Sequence, residues 1–204
     1  MATIALQSAA SGLSALNTKL DVIANNLANV NTNGFKASRA NFQDLLYIER
    51  EQPGLENANG DKRPTGLYVG LGVKVAGTQV DFTQGSPLTT NRPLDAMIEG
   101  PGFFKVKVED QLGGGTAYTR AGHFAVNADG ELVLANDQGR RLEPSITIPD
   151  DAVPPIRITS DGKVQVLKAG QTEPEDVGQI ELATFINPQG LKQISGGYYI
   201  VARD

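Results

Sequence analysis

The chain reads as an α+β protein: a long N-terminal heptad helix, an extended connector and arm, and an antiparallel, mainly-β domain of many short strands. Three observations predict this. Leucine recurs every seven residues from Leu6 to Leu27. Residues 50–66 are charged and rich in Gly, Pro and Asn, with no apolar period. From Tyr68 onward, short apolar runs alternate with Gly, Pro, Asn and Asp. The expected organisation is an assembly helix over 1–34, connector and arm over 35–67, and a β domain over 68–204.

In the helix, Leu6, Leu13, Leu20 and Leu27 occupy the a positions of four heptads, and Ala9, Leu16, Ile23 and Val30 the d positions. Asn33-Gly34 is the expected stop, because both residues tolerate the left-handed conformation. At 1.5 Å per residue such a helix is about 40 Å long. Its other faces differ from a solvated coiled coil. The e and g positions hold Ala10, Gly12, Asn17, Lys19, Ala24 and Asn26, and only Lys19 and Asp21 carry charge before Gly34. Small residues permit close approach, and amides hydrogen-bond without the desolvation cost of charge. This composition predicts neighbours nearly all round. No second long helix follows, so the seam is expected to find its partner on another molecule. The predicted self-assembly residues are Leu6, Leu13, Leu16, Leu20, Ile23, Asn25, Asn26, Leu27, Asn29 and Val30. A lone helix of this kind is marginal in water and is expected to be mobile before assembly.

Phe35 to Tyr47 reads as an irregular or partly extended connector, and Arg50 to Gly66 as an exposed loop or arm. The arm's candidate contact residues are Arg50, Glu51, Asp61, Lys62 and Arg63, which can form ion pairs between subunits, with Pro53 and Pro64 restricting the backbone.

Beyond the arm, Val69, Leu71, Val73 and Val75 alternate, and Val80 and Phe82 continue the pattern. Strand-sized pieces are predicted at 96–98, 103–108, 117–119, 124–126, 132–134, 156–159, 164–167 and 180–186. Ala128-Asp129-Gly130 and Ser160-Asp161-Gly162 have the chemistry of tight hairpin turns.

Composition excludes several functions. The formal net charge of −5 and the lack of clustered Lys and Arg argue against nucleic acid. Without cysteine there are no disulfides, thiolate metal sites or thiol nucleophiles. The N-terminus has no basic segment followed by a long apolar run, and no apolar stretch approaches the ~18 residues that span a bilayer. Direct membrane insertion is therefore not expected. The single histidine, His123, is expected at the surface or in a turn. Gly70-Leu71-Gly72 lacks the third glycine and following helix of a dinucleotide loop. Glu173, Glu175 and Asp176, with Pro174 among them, read as a solvated turn. The predicted catalytic, metal and cofactor sites are none, and the chain is read as a structural subunit, not an enzyme.

Longer motifs carry a resemblance. Ser11-Gly12-Leu13 and Leu20-Asp21-Val22-Ile23-Ala24-Asn25-Asn26-Leu27-Ala28-Asn29-Val30-Asn31-Thr32-Asn33-Gly34-Phe35-Lys36 are similar to the N-terminal signature of flagellar axial proteins, the rod and hook subunits. Asp95 to Phe104, Tyr118 to Phe124 and Phe185 to Leu191 resemble three further motifs of that family. Within it, Asn41 to Tyr47, the Pro-Gly arm and Pro64 to Val73 are most similar to distal rod subunits. The resemblance implies a bacterial basal-body rod that spans the periplasm, and export by the flagellar type III apparatus without a cleaved signal peptide. It implies a helical homopolymer, proximal rod and hook proteins at its ends, and P- and L-ring proteins around it. A hook or proximal-rod subunit, or a non-flagellar oligomeric binding module, is the alternative. In one respect the chain departs from the family pattern, which continues into a C-terminal heptad helix pairing with the N-terminal one. The sequence ends at Asp204, so the expectation of an unpartnered seam depends partly on that departure.

Overall fold

A computed structural model describes residues 2–56, 60–171 and 173–202. The chain divides into two units, one comprising Met1–Asn31 with Ala37–Asp81 and the other Thr32–Lys36 with Phe82–Asp204.

In the first unit the leucine repeat forms α1 (Ala2–Ala28), in which alanines and leucines without proline outweigh the weaker Ser, Asn and Gly12. The helix ends earlier than Asn33-Gly34. Asn29 turns back on the last carbonyls, its Nδ2 donating to Asn25 O (2.9 Å), and Val30 N–H donates to Leu27 O (3.3 Å). This tightened last turn satisfies carbonyls that helical geometry leaves unpaired. Asn29 and Val30 therefore lie just past the helix.

The connector is more regular than its sequence suggests. It contains β1 (Ser38–Asp44) and leads into β2 (Tyr47–Glu51), which pairs antiparallel with β3 (Leu67–Gly70). After β3 comes β4 (Val73–Val80), which pairs antiparallel with β1, with a bulge at Asn41/Phe42. Ser-Arg-Ala-Asn-Phe-Gln-Asp has little apolar alternation. Its strand state is decided by backbone partners 29 to 42 positions away, a non-local choice that local propensity does not report.

The second unit holds the closed core. A five-stranded antiparallel sheet is built from β5 (Phe103–Lys107), β6 (Thr116–Thr119), β12 (Leu182–Ala183), β13 (Leu191–Ile194) and β14 (Tyr198–Val201), in the order β12-β5-β6-β14-β13. Beside it are the hairpin β7 (Phe124–Val126) to β8 (Leu132–Leu134) and the sheet of β9 (Ala152–Ile158), β10 (Lys163–Lys168) and β11 (Glu175–Gln179), ordered β11-β10-β9. Both Asp-Gly turns connect hairpins. At the first, Asn127 Oδ1 accepts the N–H groups of Asp129 (3.0 Å) and Glu131 (2.8 Å), and Gly130 takes a φ of 77° that a side chain would resist.

The five-stranded sheet is apolar on both faces, following the period of two. Phe104, Val106, Ala117, Tyr198 and Ile200 join the main core with Phe124, Leu132, Leu134, Leu142 and Val164. The intervening Phe103, Tyr118 and Tyr199 form a second, aromatic layer with Phe82 and Phe185, their rings edge-to-face with centroids 4.7–6.0 Å apart.

Several predicted elements differ. Residues 96–98 form no ladder; Ile98 is buried in the core, and the Ala96 N–H is satisfied by Gly122 O at 2.7 Å. The piece at 180–186 contributes only the two residues of β12. β13 and β14 were not predicted, although Tyr198-Tyr199-Ile200-Val201 after Gly196-Gly197 is a strand-like run. Of the acidic cluster, only Glu173 lies in an exposed bend. Glu175 and Asp176 begin β11 and pair across strands with Lys168 and Lys163, each at 2.7 Å.

Candidate assembly surfaces

An α-helix brings residues three and four apart onto one face, and α1 has two such faces of opposite character. Ile4, Ser8, Ser11, Ala15, Thr18, Val22 and Asn26 lie on the half-buried or buried face, which packs on β1 and β4. Ser11 Oγ donates to Ser8 O (2.8 Å) and accepts the Val73 N–H (3.2 Å). Gly72 lies against this turn with φ 116°, and a Cβ there would meet Ser11 Oγ at 2.2 Å and Ser8 Cα at 3.2 Å. Fifteen positions further on, Asn26 engages both backbone groups of one residue. Its Nδ2 donates to Ser38 O (2.7 Å) and its Oδ1 accepts the Ser38 N–H (2.9 Å). These contacts fix the rotation of the helix on the β1–β4 ribbon.

That rotation turns the leucine seam outward. Leu6, Leu13, Leu16, Leu20, Ile23 and Leu27 are 49–71% exposed, and Val30 beyond the helix 70%. The seam thus does not serve the unit's own core. Of the polar members of the predicted set, Asn25 is exposed, Asn26 is held by Ser38, and Asn29 is half-buried and folded back on Asn25. Sequence reasoning missed the inner face. Its signal was the spacing of Ser8, Ser11, Ala15 and Thr18, which alternates between three and four residues just as the leucines do.

The arm projects from the β2–β3 hairpin. The Gly54 N–H donates to Arg63 O (2.8 Å) and the Arg63 N–H to Leu55 O (2.9 Å), so the ladder continues beyond β2 and β3. Tyr68 OH donates to Glu49 Oε1 (3.1 Å), a bond that raises the Tyr68 pKa. Within the arm, Arg63 pairs with Glu51, and Lys62 lies 3.8 Å from Glu56. Three of the charges considered for contacts between subunits, Glu51, Lys62 and Arg63, are therefore engaged inside one arm, in solvent-exposed pairs of small intrinsic worth. Arg50, Asp61, Pro53 and Pro64 are exposed on the same hairpin.

Among the described residues, the second unit has no α-helix and no such seam. His123 is half-buried; its Nδ1 and Asp95 Oδ1 are buried without hydrogen-bond partners. Both line an open cleft with Asn33, Thr90 and Arg92. No group of three His, Cys, Asp or Glu suited to a metal occurs among the described residues, and no helix is long and apolar enough to cross a membrane.

Residues 6–36 match the family described as Flagella basal body rod protein, and residues 97–166 match the Flagellar hook protein FlgE/F/G D1 domain. The flagellar basal-body rod protein FlgG of Caulobacter vibrioides is 44% identical over 197 residues, 96% of this chain and 73% of that protein. The chain belongs to the FlgG family of flagellar basal-body rod proteins. FlgG of Borreliella burgdorferi is 42% identical over 96% of this chain and 72% of its own length, and FlgG of Bacillus subtilis 38% over 95% and 72%. Similarity extends to the flagellar hook protein FlgE of Treponema pallidum, 40% identical over 74% of this chain but 34% of that protein. The rod-family match over residues 6–36 takes in most of the outward seam. The D1-domain match runs from Met97 to Val166, within the second unit.

Proposed function

We propose that this FlgG-family chain is a structural subunit of the distal rod, the drive-shaft segment of the bacterial flagellum, and that it polymerises into a helical tube through the outward heptad face of α1. The observation that carries this reading is the helix's two-sidedness: a rod-family segment whose small face is committed to its own ribbon and whose leucines are left exposed. On this reading the chain performs no chemistry. It is exported by the flagellar type III apparatus without a cleaved signal peptide, joins proximal rod and hook proteins at its ends, and is encircled by P- and L-ring proteins in the periplasm. The greater coverage of FlgG than of FlgE, 73% against 34% of the relative's length, favours rod over hook.

The arm acts as a strut between subunits. A shaft under torque must resist sliding of axial neighbours, and a hairpin held by its own backbone ladder presents a preformed surface to the next copy. Weak contacts suffice because a polymer repeats them along its length.

Replacing Leu20 by Asp places a charge in the assembled seam, a cost of several kcal/mol in every subunit. Cells carrying Leu20→Asp are expected to export the chain but build no rods. Full-length rods in these cells would eliminate the seam as the assembly element. For the strut, a chain lacking residues 50–66 is expected to assemble into a rod that bends, read as a shorter persistence length by electron microscopy. A deletion rod as stiff as the parent would exclude it.

A further inference from the structure

Asn33-Gly34 does not end α1, and its place in the fold gives it a different significance. The Phe35 N–H donates to Thr32 O (3.1 Å), closing a turn whose two central residues are Asn33 and Gly34. Gly34 has a φ of 75° and Asn33 a negative one, the signature of a type II turn. The turn is seated within the second unit: a Cβ on Gly34 would meet Ala121 N at 2.8 Å and Ala121 Cα at 2.9 Å. Two residues on, Lys36 is buried, and its Nζ donates to Thr83 O (2.7 Å). The short segment is thus fixed at Gly34 and again at Lys36.

The carboxamide carbon of an asparagine is open to attack by the backbone nitrogen of the next residue, which closes a five-membered succinimide. That nitrogen gives up its proton, the bond to the side-chain nitrogen breaks, and ammonia leaves. Water then opens the ring at either carbonyl, giving aspartate or, with the main chain rerouted through the side-chain carbon, isoaspartate. A side chain on the following residue hinders the attack, and glycine has none. Asn33 is exposed, and the turn's single hydrogen bond uses the Phe35 N–H and leaves the Gly34 nitrogen out. Ring closure needs rotation about the Asn33 Cα–C bond, which one such bond restrains only weakly. The asparagines before it are placed otherwise. Asn25 and Asn26 lie inside α1, the Asn26 amide is held by Ser38, and Asn29 Nδ2 donates to Asn25 O. Each of them, and Asn31, precedes a residue with a side chain.

We infer that Asn33 is a site of spontaneous modification, that the Asn33-Gly34 junction cyclises and reopens chiefly as isoaspartate, and that this product unlocks the turn. Isoaspartate adds a methylene to the main chain and leaves a carboxylate beside it. The added length falls between Thr32 and Phe35, the two residues that the turn's hydrogen bond joins. It also precedes a glycine already in close contact with the Ala121 backbone and a lysine held by Thr83, so the segment has no slack to absorb it. A chain kept unassembled therefore loses this turn with age.

Trypsin releases residues 20–36 as one peptide, which carries Asn25, Asn26, Asn29, Asn31 and Asn33 together and so contains its own controls. The purified full-length chain, held in mildly alkaline buffer made with oxygen-18 water, is expected to yield this peptide with a mass gain and one labelled oxygen at Asn33. The gain should grow with time while the other four asparagines stay unchanged. A protein isoaspartate methyltransferase should methylate the aged chain in proportion. Asn33→Gln, whose longer side chain closes a six-membered ring far more slowly, should stay unmodified. In the aged chain the Phe35 amide should lose its protection from exchange, while the Leu132 amide, bonded to Ile146 O in the core (2.9 Å), keeps its own. Aged Asn33→Gln should keep both. No gain at Asn33, or one no larger than at Asn31, overturns the site. A product that accepts no methyl group, or a modified chain with Phe35 as protected as before, overturns the unlocking. None of these readouts involves assembly, so their failure leaves the rod reading untouched.

Discussion

The two units solve the burial of apolar surface in opposite ways. Among the described buried hydrophobic residues, all but Ala15 belong to the second unit. Its strands close over Phe104, Val106, Phe124, Leu132 and Val164 without help. In the first unit, Ile4, Ala15 and Val22 share the internal contacts with serines, a glycine and an asparagine, while the α1 leucines, the arm's Leu55, Ile23, Ile48 and both tyrosines are left outside. Hydrophobic burial drives both folding and association. A unit that spends little of its apolar surface on its own core retains it for association. One region therefore buries its apolar side chains within itself, and the other leaves most of its large ones exposed.

The sharpest way to break this contrast is to truncate one large side chain in each unit. Phe124→Ala removes a fully buried ring and is expected to destabilise the second unit by about 3–5 kcal/mol. Leu20→Ala, at a position 62% exposed, should shift the stability of the unassembled chain by no more than about 0.5 kcal/mol. Denaturant titrations of both variants decide the matter. A loss at Leu20 comparable with that at Phe124 would show that the seam is already buried before assembly.

The next effect tests whether the helix is held by its small face. Gly72→Ala forces a side chain onto Ser11 at a φ of 116°, at a cost of about 2–4 kcal/mol in strain and overpacking. Amide exchange across residues 2–28 of the monomer should accelerate, while the second unit keeps its protection. Unchanged exchange in the helix would mean that the ribbon does not hold it. The docked helix also revises the expectation of a mobile N-terminus, because the ribbon supplies a partner within the chain.

A smaller effect is expected at the other anchor. Asn26→Ala removes both hydrogen bonds to Ser38, worth about 1–2 kcal/mol together, and should speed exchange of the Ser38 amide. If Asn26 instead acts chiefly between subunits, rods would be lost with no change in the monomer.

The smallest effect belongs to the second unit at high pH. Burial pushes the Tyr199 hydroxyl from its ordinary 10.0 up to about 12. The folded chain then retains a proton that the unfolded chain releases, so stability is intact below pH 10 and falls as pH rises toward 12. Tyr199→Phe should reduce the loss in denaturation midpoint between pH 9 and pH 11. An identical loss in the variant would place the alkaline sensitivity elsewhere.

Which features were legible in the sequence follows from the range of the interactions behind them. The leucine heptads, the two Asp-Gly hairpins and β5, β6, β7, β8 and β10 are written in spacing and turn chemistry over fewer than ten residues. β1 was not legible, because its pairing partner β4 lies beyond the arm. Ile98 is apolar because it is buried, not because it is in a strand, and a short apolar run does not separate the two. The charges of the arm were visible, but their pairing as Glu51–Arg63 and Glu56–Lys62 depended on the hairpin register.

The sequence by itself determined that α1 has an apolar seam every seven residues, since helical geometry converts spacing into a face whatever surrounds it. Only the tertiary structure decided which way that seam looks. Leucine and serine faces both recur at helical spacing, and either is able to pack against something. The choice is made where Gly72 leaves room for Ser11 and where the Asn26 amide matches the backbone of Ser38. Both are contacts between residues far apart in the chain, and they turn the small face inward and leave the leucines outside.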